Sequence, residues 1–301
     1  MILNKNAGLL KKGEGFKPEI GAAHEITFCV CSSKKDLPPL IDRAIKRGVD
    51  VIVAGGGDGT ISETVNLISV YAQKPSLGII PLGTGNDLSR SFGIPLDPVE
   101  ALNLILDEQA SQGRLIDLIH VQALGETRLC VNLASGGLAG EIEKTIDDPL
   151  KQRWGQLAYA RAALSVANHI KEFKVQLTID ENPALCLSTL NVIVANGKAA
   201  GGGFEVAPHA SPVDHKLDVV IVHPAARMQL ALTLAQLLGG DYTQSENVTH
   251  FKARKIKIDS DPQMDFNIDG DLFSPTPLEF SVIPNALRII TKKENKAPAA
   301  A

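Results

Sequence analysis

No run of about 18 apolar residues occurs anywhere in the 301-residue sequence, so no segment reads as a membrane span. Met1-Ile2-Leu3-Asn4-Lys5 is not followed by the apolar core of a signal peptide. Cysteine is scarce, and Cys29, Cys31, Cys130 and Cys186 form no C-x-x-C pair, which argues against a zinc site. Cys29 and Cys31 fall in an apolar, strand-like run and read as core residues, so a reduced cytoplasm is the expected setting. Seven histidines show neither H-E-x-x-H nor any other ligand spacing. A basic excess is also lacking: a net charge of −4 and a pI of about 6.0 leave nothing to expect of nucleic acid as a partner. What remains, 44% hydrophobic and 21% charged, is the composition of a folded globular chain long enough for two domains.

The first third alternates two periods. Ile26 to Val30 reads as a strand, Asp36 as an N-cap followed by Pro38 and Pro39, and Ile41, Ala44 and Ile45 as a helical stripe stopped at Gly48. Val49 to Val53 is a β-branched strand, Ile61, Val65 and Ile68 have helical spacing, and Ser76 to Ile80 supplies the next strand. This rhythm predicts a parallel sheet with right-handed crossovers. Beyond residue 120 strand-like runs dominate: Leu115–Val121, Leu129–Leu133, Val175–Ile179, Leu187–Ala195, Leu217–Val222, Phe251–Ile258, Phe266–Ile268 and Leu278–Val282. Asn182-Pro183 and Asp269-Gly270 read as turns. Two helices interrupt them, Trp154–Ile170 and Met228–Leu238, the second apolar almost all round and read as buried rather than as a membrane anchor. The organisation expected is an α/β domain over 1–120, a β-rich domain over 121–291 and a frayed tail over 292–301.

Chemistry concentrates in two glycine loops. A buried strand runs into Gly55-Gly56-Gly57-Asp58-Gly59, and Thr60 with Glu63 three residues on has the pattern of a capping box opening a helix. Glycines admit a ligand close to the backbone, and the N–H groups and dipole at a helix start favour an anion. The bland alternative is a tight turn, which needs fewer glycines than are present. The loop fits neither G-x-x-x-x-G-K-[ST] nor G-x-G-x-x-G. After the next strand comes Pro81-Leu82-Gly83-Thr84-Gly85-Asn86-Asp87-Leu88-Ser89-Arg90, at the same carboxyl edge of a parallel sheet, where ligands bind. Gly83 and Thr84 offer donors to phosphate, whereas Asn86 and Asp87 read either as nucleotide or metal contacts or as caps of the following helix.

Together the loops resemble the diacylglycerol-kinase catalytic domain, specifically the bacterial lipid kinases of the YegS type. The resemblance continues through Ile2-Leu3-Asn4, Val131 to Gly137, Asn196-Gly197-Lys198, Gly201-Gly202-Gly203, Ala207-Pro208, Asn267 to Asp271 and Ile283 to Arg288. It implies an α/β nucleotide-binding domain like those of NAD kinases and phosphofructokinases, followed by a β-rich, sandwich-like lipid-binding domain. The implied activity is transfer of the ATP γ-phosphoryl group to a lipid hydroxyl (diacylglycerol, phosphatidylglycerol or similar), with Mg²⁺ as cofactor and transient peripheral contact with a membrane. A homodimer is compatible with the sequence but not required by it.

Carried over residue by residue, the nucleotide would meet Gly57, Asp58, Gly59, Thr60, Ile61, Ser62, Glu63 and Thr84, with Asn86 and Asp87 beside them. The family's threonine after the first crossover strand is Cys31 here, with Ser32 next to it. Its Asp-Gly-Glu, whose last carboxylate takes the substrate hydroxyl proton, is Asp269-Gly270-Asp271, making Asp271 the implied base and Asp269 its rival. Its structural magnesium loop corresponds to Asp214 with the carbonyls of Ser211 and Lys216, where His215 replaces a glycine. Two other functions remain open: an NAD-kinase-like small-molecule kinase, against which Gly83 to Arg90 argues, and a non-catalytic nucleotide or lipid sensor.

Overall fold

A computed structural model describes residues 1–11, 25–107, 113–137 and 171–292. Its N-terminal part is a parallel sheet of β1 (Ile2–Asn4), β2 (Cys29–Cys31), β3 (Val51–Gly56) and β4 (Ser76–Pro81), in the order β2-β1-β3-β4. Helices cover both faces, which is why β3 and β4 read as near-continuous apolar runs. Ile52, Ala54, Leu77 and Ile79 pack with Leu37 and Ile41 of α2 (Leu37–Lys46) and Ile61, Val65 and Ile68 of α3 (Asp58–Ser69). On the other face Val53 and Ile80 meet Leu102 and Ile105 of α5 (Pro98–Leu106), with the short α1 (Gly8–Lys11) and α4 (Asp87–Ser91) at the loop edge. Before α2, Asp36 turns back to accept the amides of Ser32 and Ser33 at 2.7 and 3.0 Å.

The second part is a sandwich. One sheet has the order β14-β13-β10-β7-β16-β17, from β7 (Leu133–Gly137), β10 (Asn191–Ala195), β13 (Leu217–Val222), β14 (Val248–Ala253), β16 (Asp265–Ile268) and β17 (Asp271–Pro275). The other continues the N-terminal sheet through β18 (Leu278–Ile289) to β15 (Lys255–Asp261), β8 (Phe173–Ile179) and β9 (Leu185–Thr189). Alongside β18 also run β5 (Arg114–Gln122) and then β6 (Thr127–Cys130). Ile119, Val192, Val219, Ile256, Phe266 and Phe280 fill the space between the sheets. A small hairpin, β11 (Ala199–Ala200) and β12 (Phe204–Glu205), projects toward α4.

Three runs read as single strands are pairs. Leu129–Leu133, Leu187–Ala195 and Phe251–Ile258 each start in one sheet and finish in the other, crossing at 131–132, at Leu190 and at Arg254. At 131–132 and Leu190 the apolar pattern does not lapse because both halves are buried, whereas at the third corner the exposed Arg254-Lys255 pair interrupts it. Polar groups make the bends: Asp180 accepts from the amides of Arg254 and Lys255 at 2.8 and 2.9 Å. The expectation for Met228–Leu238 also changes. The helix is α6 (Arg227–Gly239), but only Thr233 is buried, while Met228, Leu232 and Leu238 are exposed. Its all-round apolarity therefore does not report burial. The helix read at Trp154–Ile170 lies outside the described residues, as does the tail from 293 on. Among the described residues no helix is long and apolar enough to cross a membrane.

Candidate active site

The helix after the first glycine loop starts earlier than its capping-box pattern suggests. Gly57, with extended backbone, is the N-cap, Asp58 opens α3, and Thr60 is its third residue. The Thr60 hydroxyl accepts from Asn4 Nδ2 at 3.0 Å rather than capping. The second loop lies against the first, backbone to backbone. A Cβ on Gly83 would come within 2.5 Å of the Gly57 Cα, so glycine at 83 is what lets the loops touch. Asn86, in left-handed conformation, accepts from the Gly83 amide at 2.9 Å and donates to the Gly83 carbonyl at 3.0 Å. Of the two roles left open for Asn86, its side chain takes a third, shaping its own loop. Thr84 is exposed at the rim, its hydroxyl beside Gly8, and Gly59 lies open on the first turn of α3 except for the Lys34 side chain passing over it.

Two carboxylates converge at the loop junction. Asp58 Oδ1 accepts from the Leu88 amide at 2.9 Å, and Asp87 Oδ2 from the Gly202 amide at 2.9 Å, tying the hairpin of the second domain to the loop. A Cβ on Gly85 would stand 3.4 Å from both Asp58 Oδ2 and Asp87 Oδ2. Asp87 Oδ1 is buried with no partner among the described residues. Burial pushes the Asp58 carboxyl up, and burial followed by the neighbouring Asp58 charge pushes Asp87 up to about 6.

This has a measurable consequence. Between roughly pH 4 and 6 the folded chain keeps a proton on Asp87 that the unfolded chain has lost, so this group makes stability fall as pH rises through that window. Asp87→Asn keeps an acceptor for Gly202 and removes the charge. It should raise stability at pH 7 by up to about 3 kcal/mol in metal-free buffer, with the gain gone near pH 4. Thermal melts of parent and variant at both pH values would check this, and an equal gain at both would refute it.

The remaining nucleotide residues of α3 divide. Ile61 is fully buried and offers only backbone, Glu63 is half-buried, and the buried Ser62 donates to Asp269 Oδ2 at 2.9 Å. Cys31 is buried in the core and Ser32 exposed. Asp269 and Asp271, two residues apart, have opposite surroundings. Asp269 accepts from the Val131, Asn132 and Leu133 amides at 2.7, 2.9 and 3.3 Å, from Ser62, and from the Cys130 thiol at 3.4 Å. These donors account for the roughly four lone-pair directions of a carboxylate. Asp271 projects to the cleft, its Oδ2 at 2.7 Å from both Lys34 Nζ and Arg128 Nη2. Partial burial pushes its carboxyl up, but the hydrogen bonds from Lys34 and Arg128 prevail and hold it below its ordinary value. Neither cation stood out in the sequence: Lys34 is one of two lysines after β2, and Arg128 one residue of a short strand.

The Asp214 loop stands apart from this cleft. His215 takes a positive φ of 61°, and its amide and Nδ1 both reach the fully buried Asp117, at 2.7 and 2.9 Å. Asp214 Oδ1 accepts the Lys216 amide at 3.1 Å, and Oδ2 lies 2.6 Å from Lys252 Nζ, which also sits 3.3 Å from Asp218. Ser211 is half-buried beside it. An ammonium thus supplies the positive charge at Asp214 in this arrangement. Among the described residues no group of three or more His, Cys, Asp or Glu side chains is placed to hold a metal.

Residues 1–118 match the diacylglycerol kinase catalytic domain, and residues 132–291 match the YegS C-terminal NAD kinase beta sandwich-like domain. A Pseudomonas aeruginosa PAO1 protein described as "Probable lipid kinase YegS-like" is 32% identical over 272 residues, 89% of this chain and 85% of that one. The protein named diacylglycerol kinase in Bacillus subtilis 168 is 28% identical over 275 residues, 91% of this chain and 88% of that one. A crystal structure titled as a diacylglycerol kinase, from Bacillus anthracis str. Sterne, superposes with a TM-score of 0.73 at 22% identity, over 97% of this chain and 95% of that one. A second structure from the same organism reaches 0.81 at 24%, over 97% and 94%. At these identities the superpositions bear on the fold.

Proposed function

The chain belongs to the diacylglycerol-kinase-like family of lipid kinases, and on that premise we propose that it transfers the γ-phosphoryl group of ATP to a hydroxyl of a membrane lipid. The observation that carries the reading is the position of Asp271: the β16–β17 hairpin holds its carboxylate beside Lys34, whose ammonium lies over the first turn of α3. The first N–H groups of that helix have no partner within it, so residues 57–59 offer donors and a positive dipole end to the phosphates. Glycine at 57 and 59 lets the phosphates approach, and Thr84 lines the rim.

Phosphoryl transfer has a loose transition state and demands mainly positioning and charge neutralisation. Asp58 and Asp87, hard oxygen donors converging on Gly85 with one buried oxygen unpartnered, fit a divalent cation. That ion, when bound with the nucleotide, would neutralise phosphate charge. Asp271 orients the lipid hydroxyl and takes its proton. Asp269, with its lone pairs spoken for, holds the hairpin. The acceptor lies in a bilayer, so turnover involves transient contact with a membrane surface, consistent with a cytoplasmic enzyme.

The test is incubation with γ-labelled ATP and a total lipid extract, followed by identification of the labelled species. Label in a lipid phosphate is expected, and its structure names the acceptor. Label in NAD but in no lipid would overturn the lipid assignment, and ATP binding without any turnover would favour a sensor.

A further inference from the structure

The pairing at Asp271 has two sides. Lys34 lies in the single turn that follows β2, a turn fixed by Asp36 taking the amides of Ser32 and Ser33. From there its side chain crosses Gly59: a Cβ on that residue would stand 3.4 Å from Lys34 Cε and 3.5 Å from Nζ. The ammonium is therefore already over the start of α3, where a phosphate anion is favoured. Arg128 approaches from β6, and both end on the same oxygen, Asp271 Oδ2. Lys34 and Asp271 are each about two-fifths exposed, so the pair exchanges readily with other charges.

We propose that Asp271 and the terminal phosphate of the nucleotide compete for Lys34, the carboxylate acting in the free enzyme as an internal anion that the nucleotide displaces. The proposal rests on the reading of the glycine loop as a nucleotide site and deepens it by assigning Lys34 a phosphate contact and a positioning role. A triphosphate carries several negative charges against the carboxylate's one and draws the ammonium across. Arg128, with five donors, can bridge both anions.

The exchange also changes Asp271. Losing a cation makes a carboxylate more basic, so the group that must accept a proton gains basicity when the phosphoryl donor arrives. In the step that follows, the lipid oxygen bonds to the γ-phosphorus and its proton passes to Asp271. The bond from that phosphorus to the bridging oxygen breaks, and ADP leaves with the electron pair.

The experiment is calorimetric binding of the non-hydrolysable analogue AMP-PNP, with Mg²⁺, to the full chain. Lys34→Met should weaken binding by about tenfold or more, the worth of one charge-assisted hydrogen bond. Lys34→Arg should keep most of the affinity. Asp271→Asn, which removes the competitor, should tighten binding several-fold, and the Lys34→Met/Asp271→Asn double variant should bind no tighter than Lys34→Met alone. Unchanged affinity in Asp271→Asn, or equal tightening in the presence and absence of Lys34, would overturn the competition. Failure of the parent to bind AMP-PNP would overturn the nucleotide reading as well. Normal kcat in Asp271→Asn would remove Asp271 as the base while leaving the competition standing on its binding data. A shift confined to melting temperature, with all affinities equal, would reduce Lys34 to a structural tie and refute the proposal.

Discussion

Asp271→Asn is expected to leave a folded protein whose kcat is lower by roughly 10²–10⁴-fold, the usual contribution of a positioned general base. Asparagine keeps the size and still accepts a hydrogen bond from Lys34 or Arg128, but it cannot take the proton. The lost ion pairs are partly exposed and worth at most about 1 kcal/mol each, so the melting temperature should move only by a few degrees. Rates with the identified lipid acceptor, measured beside a thermal melt, would separate the two effects. A kcat within a few-fold of the parent would sink the assignment.

Asp269→Asn should behave in the opposite way, as a stability variant first. Its carboxylate gathers three successive amides at 131–133, the Ser62 hydroxyl and the Cys130 thiol. An asparagine brings one acceptor oxygen and turns an NH₂ toward donors. The Val131 amide loses its partner if the oxygen takes the Oδ1 place, and the Asn132 and Leu133 amides do if it takes the Oδ2 place, at about 1–3 kcal/mol apiece. Each kcal/mol lost lowers the melting temperature by roughly 2–4 °C in a chain of this size. Activity falls too, because the hairpin that carries Asp271 is no longer anchored to α3 and to the bend between β6 and β7. A melt coincident with the parent's would show that Asp269 is not the anchor.

The rhythm of the N-terminal sheet and both glycine loops were legible because their signals are local: β-branched runs, helical spacing, and glycines where two backbones touch. The second domain was legible as β but not in its corners. Burial continues through 131–132 and Leu190, so hydrophobicity carries no mark of a change of sheet there, whereas at the third corner the exposed Arg254-Lys255 pair interrupts the alternation. Lys34 and Asp271 are 237 positions apart, and nothing in either neighbourhood announces the partner. The same holds for Asp214 and Lys252, whose pairing no local pattern announces. At His215 the resemblance showed a histidine in place of a glycine, but not that Asp117 would hold its positive φ. Helix α6 misled for a different reason: its composition says what it would bury, not whether anything covers it.

The way β18 is laid into the structure reaches back to the order in which the chain is made. Ile289 pairs with Leu77 on the outer side of β4, and the amide of Ile290 donates to the Leu77 carbonyl at 2.9 Å. Until β18 has been made, β4 is therefore an unprotected edge of the N-terminal sheet. The nascent first domain waits, one strand short, for a segment synthesised long after β4 itself. A truncation before Leu287 would remove more than an end: it would strip the seam from both halves at once.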